Sequence, residues 1–157
     1  GGSNPSLSAR QKEKVKEKVK GHSNRSVFFL FFFLFLFLNH SVMFPFQNLE
    51  LYKKAQIFHL GCKKLLGTIK SEKYVNDQLG RASYSIVLNI AEGSAKISKA
   101  DRKNYFTTAR GSLFECVAIL DLFLLEQIIQ EDTYKEHLLL AEEISRILYS
   151  MIKNLSV

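Results

Sequence analysis

Pro45 is the last proline in the chain, so nothing after it interrupts a helical hydrogen-bond ladder. Apolar residues in that remainder recur at steps of three and four, the period of a helix face, with no strand-like alternation of any length and no internal repeat. Four stripes result. Leu51, Ala55, Phe58, Cys62, Leu65, Leu66 and Ile69 form the first, on a helix expected from Leu49 to Lys70 with Asn48 as its cap. Leu79, Ala82, Ile86, Ile90, Gly93 and Ile97 form the second. Ser98 followed by Asp101 is a helix start signal, and it opens a third stripe of Phe106, Ala109, Leu113, Cys116, Val117, Leu120, Phe123 and Leu124. Thr133 with Glu136 makes a second capping box before Tyr134, Leu138, Ala141, Ile144, Leu148, Met151, Ile152 and Leu155. Short connections between four such helices predict an all-α, antiparallel up-down-up-down four-helix bundle.

The segment before this pattern has a different character. Residues 1–42 hold seven Lys or Arg against two Glu, which is five of the seven net positive charges of the chain. The remainder is therefore close to neutral, at +2. A polybasic run precedes the Phe/Leu tract from Val27 to Leu38, the layout of a signal peptide, but NHSVMFPF offers no small-residue cleavage site. The tract is also short of the roughly 20 residues of a comfortable membrane span. Gly2-Ser3-Asn4-Pro5 is what the T-arm of a tRNA gene would encode, and a T-rich tract would encode the Phe/Leu run. The expectation is a non-domain leader over 1–42, disordered or translated from upstream DNA, and a bundle over 43–157 starting at Met43. A membrane anchor is the competing reading of the leader.

The stretch from Asn89 to Glu115 links the second and third helices through a basic turn. If those helices are antiparallel about Ser98, residues equidistant from the turn face one another, which places Arg81 near Glu115 and Glu92 near Arg102 and Lys103. On that reading Arg81, Asn89, Glu92, Ser112 and Glu115 form a structural polar network that sets the register of the two helices. The functional reading starts from Lys96, Lys99, Arg102 and Lys103 at one end of the bundle, with Arg110 further along. Such a cluster would hold phosphates, with Tyr105 and Phe106 available for stacking if exposed. A solvated turn accounts for the same charges, and Phe106 belongs to the apolar stripe.

Enzymatic and metal chemistry find no carrier. Glu142 and Glu143 are adjacent on a helix and point apart, and the paired Glu-x-x-His spacing of di-iron bundles is missing. There is no Gly-rich phosphate loop and no nucleophile elbow. Cys62 and Cys116 lie on apolar faces with no metal spacing, as buried thiols of a reducing compartment would. No cofactor, metal or small-molecule substrate is expected.

Asn89-Ile90-Ala91-Glu92-Gly93, then the basic turn, then Ala109-Arg110-Gly111-Ser112-Leu113 with Glu115, resembles the signature of the bacterial four-helix bundle proteins called 23S rRNA intervening-sequence proteins. The opening Phe46-Gln47-Asn48-Leu49-Glu50-Leu51-Tyr52-Lys53-Lys54-Ala55 is similar to that family's start, and the match spans Phe46 to Leu155. The resemblance implies a small cytoplasmic bundle that assembles as a homopentamer, encoded in some bacteria within insertions in 23S rRNA genes. A related protein, the accessory variability determinant of diversity-generating retroelements, is a basic pentameric bundle that binds a reverse transcriptase and nucleic acid. The near-neutral body of this chain departs from that relative. The expected partners are further copies of the chain, RNA or DNA, and a reverse transcriptase or other protein. The expected function is non-enzymatic nucleic-acid binding through the basic end, with a protein-interaction scaffold as the alternative.

Overall fold

Glu50 begins the first helix because the chain before it is already turned. The backbone of Leu49 donates to the carbonyl of Phe46, closing a 3₁₀ turn over Pro45–Asn48, and the Phe46 ring meets Tyr52 edge-on at 4.9 Å. Asn48 is spent in that turn, so the helix cap is Leu49 and carries no side-chain hydrogen bond, a correction to the expected Asn48 cap. The computed structural model describes residues 44–156. The leader expected over residues 1–42, together with Met43, lies outside the described residues. From Pro45 onward the chain forms one compact unit by itself.

Four helices follow, and no strand occurs among the described residues. They are α1 (Glu50–Leu66), α2 (Lys73–Ala95), α3 (Lys99–Leu125) and α4 (Glu131–Asn154). The first ends short of the expected Lys70 because the Thr68 hydroxyl and the Thr68 and Ile69 amides all converge on the Leu65 carbonyl, turning the chain out. Helix α2 ends at Ala95, leaving Ile97 fully exposed at 100% instead of closing the second stripe. Ser98 caps α3 as its spacing predicts, its hydroxyl accepting from the Asp101 amide at 3.4 Å. Thr133 does not cap α4. That helix has already begun at Glu131 behind Gln130, so Thr133 sits inside it.

Between α3 and α4 the chain reverses at Gln127, whose φ of 60° is left-handed. The Ile128 amide donates to the Phe123 carbonyl and the Gln127 amide to Leu124, the paired bonds of a Schellman ending. A non-glycine residue in this conformation costs about 1–2 kcal/mol. Burial of Ile129 immediately afterwards helps hold the turn.

Helix α1 packs on α2 and α4, and α3 packs on α2 and α4, while no Cα of α1 comes within 8 Å of one in α3. Partner residues run in opposite order along two of the neighbouring pairs. Gln78 meets Glu115 and Ser85 meets Ser112 between α2 and α3. Lys54 meets Glu143, and Gly61 faces His137, between α1 and α4. The core between the helices is almost wholly apolar, with Phe58, Phe106 and Phe123 at its bulkiest points and Ser83 its one polar member among the described residues. Ser83 is satisfied on both sides, donating to the Gly80 carbonyl and accepting from His59 Nδ1 at 3.0 Å.

Two glycines are sites of close approach. A methyl at Gly93 would stand 2.8 Å from Phe106, and one at Gly61 would stand 3.2 Å from His137 Nε2. The absence of a side chain is what lets α2 seat on α3 and α1 on α4 at these points.

Candidate nucleic-acid interface

The polar residues of the α2–α3 seam fall into two groups. Asn89 Nδ2 donates to the Ser85 hydroxyl at 3.0 Å and to its carbonyl at 2.8 Å, and the Ser112 hydroxyl donates to the same Ser85 oxygen at 2.9 Å. Ser85 is thus the bridge between the two helices, and Glu115 accepts from Gln78 two turns earlier. The expected pairing of Arg81 with Glu115 is not made, nor is one between Glu92 and Arg102 or Lys103. The reason is rotational. At 100° per residue Gln78, Ser85 and Asn89 fall on one line of α2, whereas Arg81 is turned about 60° away from Gln78 toward solvent. Arg81 and Glu92 are both exposed.

The basic end is built where α2 stops and α3 starts. Lys96 is the C-cap of α2 and is half-buried, its ammonium 4.8 Å from the centre of the Tyr105 ring. That contact directs one positive charge toward the turn. Lys99 is exposed on the first turn of α3, and Arg102 and Lys103 are half-buried on the second. The free amides of the α3 N-terminus add a partial positive charge of their own, against Asp101. Ion pairs among the described residues join Lys54 to Glu50 and Glu143, and Lys135 to Glu131. Lys96, Arg102 and Lys103 therefore have no described carboxylate within 4 Å. Phe106 is fully buried and unavailable for stacking, while Tyr105 is half-buried beneath Lys96.

Arg110 does not belong to this cluster. Its guanidinium lies over Phe114, 4.5 Å from the ring centre, and over Tyr149 of α4 at 5.6 Å. It opens on a cleft of about 580 Å³ lined also by Glu142, Ser145 and Arg146. Next to it runs an apolar groove of about 310 Å³ between α3 and α4, lined by Leu113, Phe114, Val117 and Leu138 and sharing Glu142 and Ser145. Arg146 and Tyr149 were not singled out from the sequence. A signal for Arg146 did exist: Arg110 and Arg146 lie 17 and 19 residues from the α3–α4 reversal at Gln127, near-mirror positions under the same rule that pairs α2 with α3.

Among the described residues no group of three His, Cys, Asp or Glu is placed to hold a metal ion. No helix among them is long and apolar enough to cross a membrane.

These features define an all-α protein of four packed helices with a basic inter-helix end. Residues 47–150 match the 23S rRNA-intervening sequence protein family, and the chain belongs to it. A crystal structure of a protein of unknown function from the S23 ribosomal protein family, from Bacteroides thetaiotaomicron VPI-5482, is similar at 26% identity with a TM-score of 0.62. The likeness covers 66% of this chain and 98% of that one. No curated protein matches.

Proposed function

We propose that this protein is a non-enzymatic, cytoplasmic nucleic-acid-binding member of its family, acting as an up-down-up-down bundle assembled into a homopentameric ring. The observation that carries the reading is the basic end. Lys96, Arg102 and Lys103 lie within eight residues of one another around the α2–α3 turn without a described carboxylate partner, beside Lys99 and an α3 N-terminus that itself attracts anions. A single end of this kind binds weakly, and a ring would repeat it so that several phosphate contacts act together. Exposed Ile57 and Leu60 on α1, and Leu139 on α4, supply apolar surface for self-assembly.

The test is a salt titration of RNA and DNA binding, with oligomeric mass measured in the same buffer. Replacing Lys99, Arg102 and Lys103 by Ala should weaken binding and flatten its salt dependence, since each lost phosphate contact removes about 0.7–0.9 from the slope. An unchanged slope would exclude the basic end. The same exposed apolar residues support a second reading, a scaffold for a protein such as a reverse transcriptase. A nuclease-insensitive complex formed by a protein without salt-dependent nucleic-acid affinity would favour it.

A further inference from the structure

We infer that the α3–α4 face is a subsite for one single-stranded nucleotide, its phosphate held by Arg110 and Arg146 and its base lying in the adjoining apolar groove. The inference rests on the nucleic-acid reading above but concerns a different face from the basic end.

Three observations carry it. First, Arg110 Nε is shielded from solvent with no hydrogen-bond partner, an expensive state for a charged donor. Its terminal nitrogens are not closed off in this way and make no described hydrogen bond, so an acceptor oxygen entering the cleft would meet those. Second, the Arg110 guanidinium lies 4.5 Å from the centre of the Phe114 ring and 5.6 Å from that of Tyr149, contacts that restrain its position. Arg146 lines the same cleft from α4, its Nε donating to the Glu142 carbonyl at 3.4 Å, which leaves its terminal N–H groups for a ligand. Neither arginine has a described carboxylate within 4 Å. Two planar forks with the Ser145 and Tyr149 hydroxyls form a donor set suited to phosphate oxygens.

Third, the two adjoining spaces differ in the side chains that line them. The cleft of about 580 Å³ carries the Arg110, Arg146, Ser145 and Glu142 side chains on a largely apolar lining, and the groove of about 310 Å³ beside it is lined mainly by aliphatic and aromatic side chains, with Asp121 and Glu142 as its charged members. A base can reach such a groove only when it is unstacked, so the subsite takes single strands and refuses a duplex. Glu142 stands at the junction of the two spaces and opposes the phosphate. Its presence makes the affinity tunable and gives the test a second arm.

The experiment is fluorescence anisotropy of the full chain with a single-stranded oligouridylate and with an RNA duplex, over a salt series. Four proteins are compared: wild type, Arg146→Gln, Glu142→Gln, and the triple Ala variant of Lys99, Arg102 and Lys103. Arg146 and Glu142 are exposed, so melting curves should coincide with wild type. The expected result is tighter single-strand than duplex binding, weakened about 5–10-fold by Arg146→Gln and tightened by Glu142→Gln, with the salt slope reduced by about 0.7 in the first. Binding that Arg146→Gln and Glu142→Gln leave unchanged while the triple variant loses it would overturn this subsite and leave the basic end standing. Weakening by Glu142→Gln would also overturn it, since the carboxylate would then be holding the ligand instead of opposing its phosphate. No binding by wild type at low salt would remove both readings together.

Discussion

Gly93→Ala should destabilise this protein, although alanine is the better helix former. The added methyl would stand 2.8 Å and 3.0 Å from two ring carbons of Phe106 and 3.0 Å from the Cβ of Tyr105. Phe106 is fully buried and cannot swing into solvent, and a Cβ moves only with its backbone. Overpacking of a tight core costs about 1–3 kcal/mol, and an obstacle anchored to the backbone belongs to the upper half of that range, about 2–3 kcal/mol. Replacing a mid-helix glycine by alanine returns about 1 kcal/mol. The net loss is about 1–2 kcal/mol, a fall of about 4–10 °C in Tm for a unit of this size. Urea and thermal unfolding followed by far-ultraviolet circular dichroism, at one fixed protein concentration, would measure it. Gly111→Ala is the internal control: the same substitution on α3, with nothing within 4 Å of the new methyl, should stabilise by about 0.5–1 kcal/mol. In a Phe106→Leu background the Gly93→Ala penalty should shrink by about 1 kcal/mol, because the ring it meets is gone. A Gly93→Ala protein as stable as wild type would refute the close seating of α2 on α3.

Gln127→Gly should stabilise by about 1 kcal/mol in urea unfolding, since glycine takes the left-handed turn without a Cβ penalty. Burial pushes the Cys62 thiol up to about 12 and raises Cys116 as well, so neither should react with a disulfide reagent until the protein unfolds. Nor should they join, because α1 and α3 come no closer than 8 Å between Cα atoms; an intramolecular disulfide in native oxidised protein would contradict the packing. Burial, reinforced by Lys63, holds the His59 imidazole below its usual 6.5. The unfolded chain therefore takes up a proton first, and stability that is complete above that value declines as pH falls toward the lower folded one. His59→Gln should flatten the change in urea midpoint between about pH 7.5 and about pH 5.5.

How far the chain could be read from its residues differs from element to element. The stripes (Ile97 apart), the Ser98 cap and the close approach at Gly93 follow from local spacing, and each appears in the structure. Helix ends were less legible. Whether Thr68 would capture the Leu65 carbonyl, or Thr133 would lie inside α4 instead of before it, depends on competing hydrogen bonds that differ little in energy. The seam between α2 and α3 shows the same limit more sharply. Mirror counting about Ser98 put Glu115 near the right stretch of α2, but could not choose between Arg81 and Gln78, which differ by less than one helical turn.

What the sequence by itself determined is the helical class, the number of helices and most of the residues that meet in the core, though not Ser83, Val87, Ile119 or Ile129, because a period of three and four over a proline-free chain favours burying one face of each helix. The tertiary structure alone decided which polar groups find partners. It gave Ser85, unmarked in the sequence, the bridge to Ser112, and it separated Arg110 from the basic end to set it against Tyr149 and beside Arg146. Apolar burial is additive over a whole helix face and tolerates small rotations, whereas a hydrogen bond or a guanidinium stacked on a ring is made or lost within an ångström.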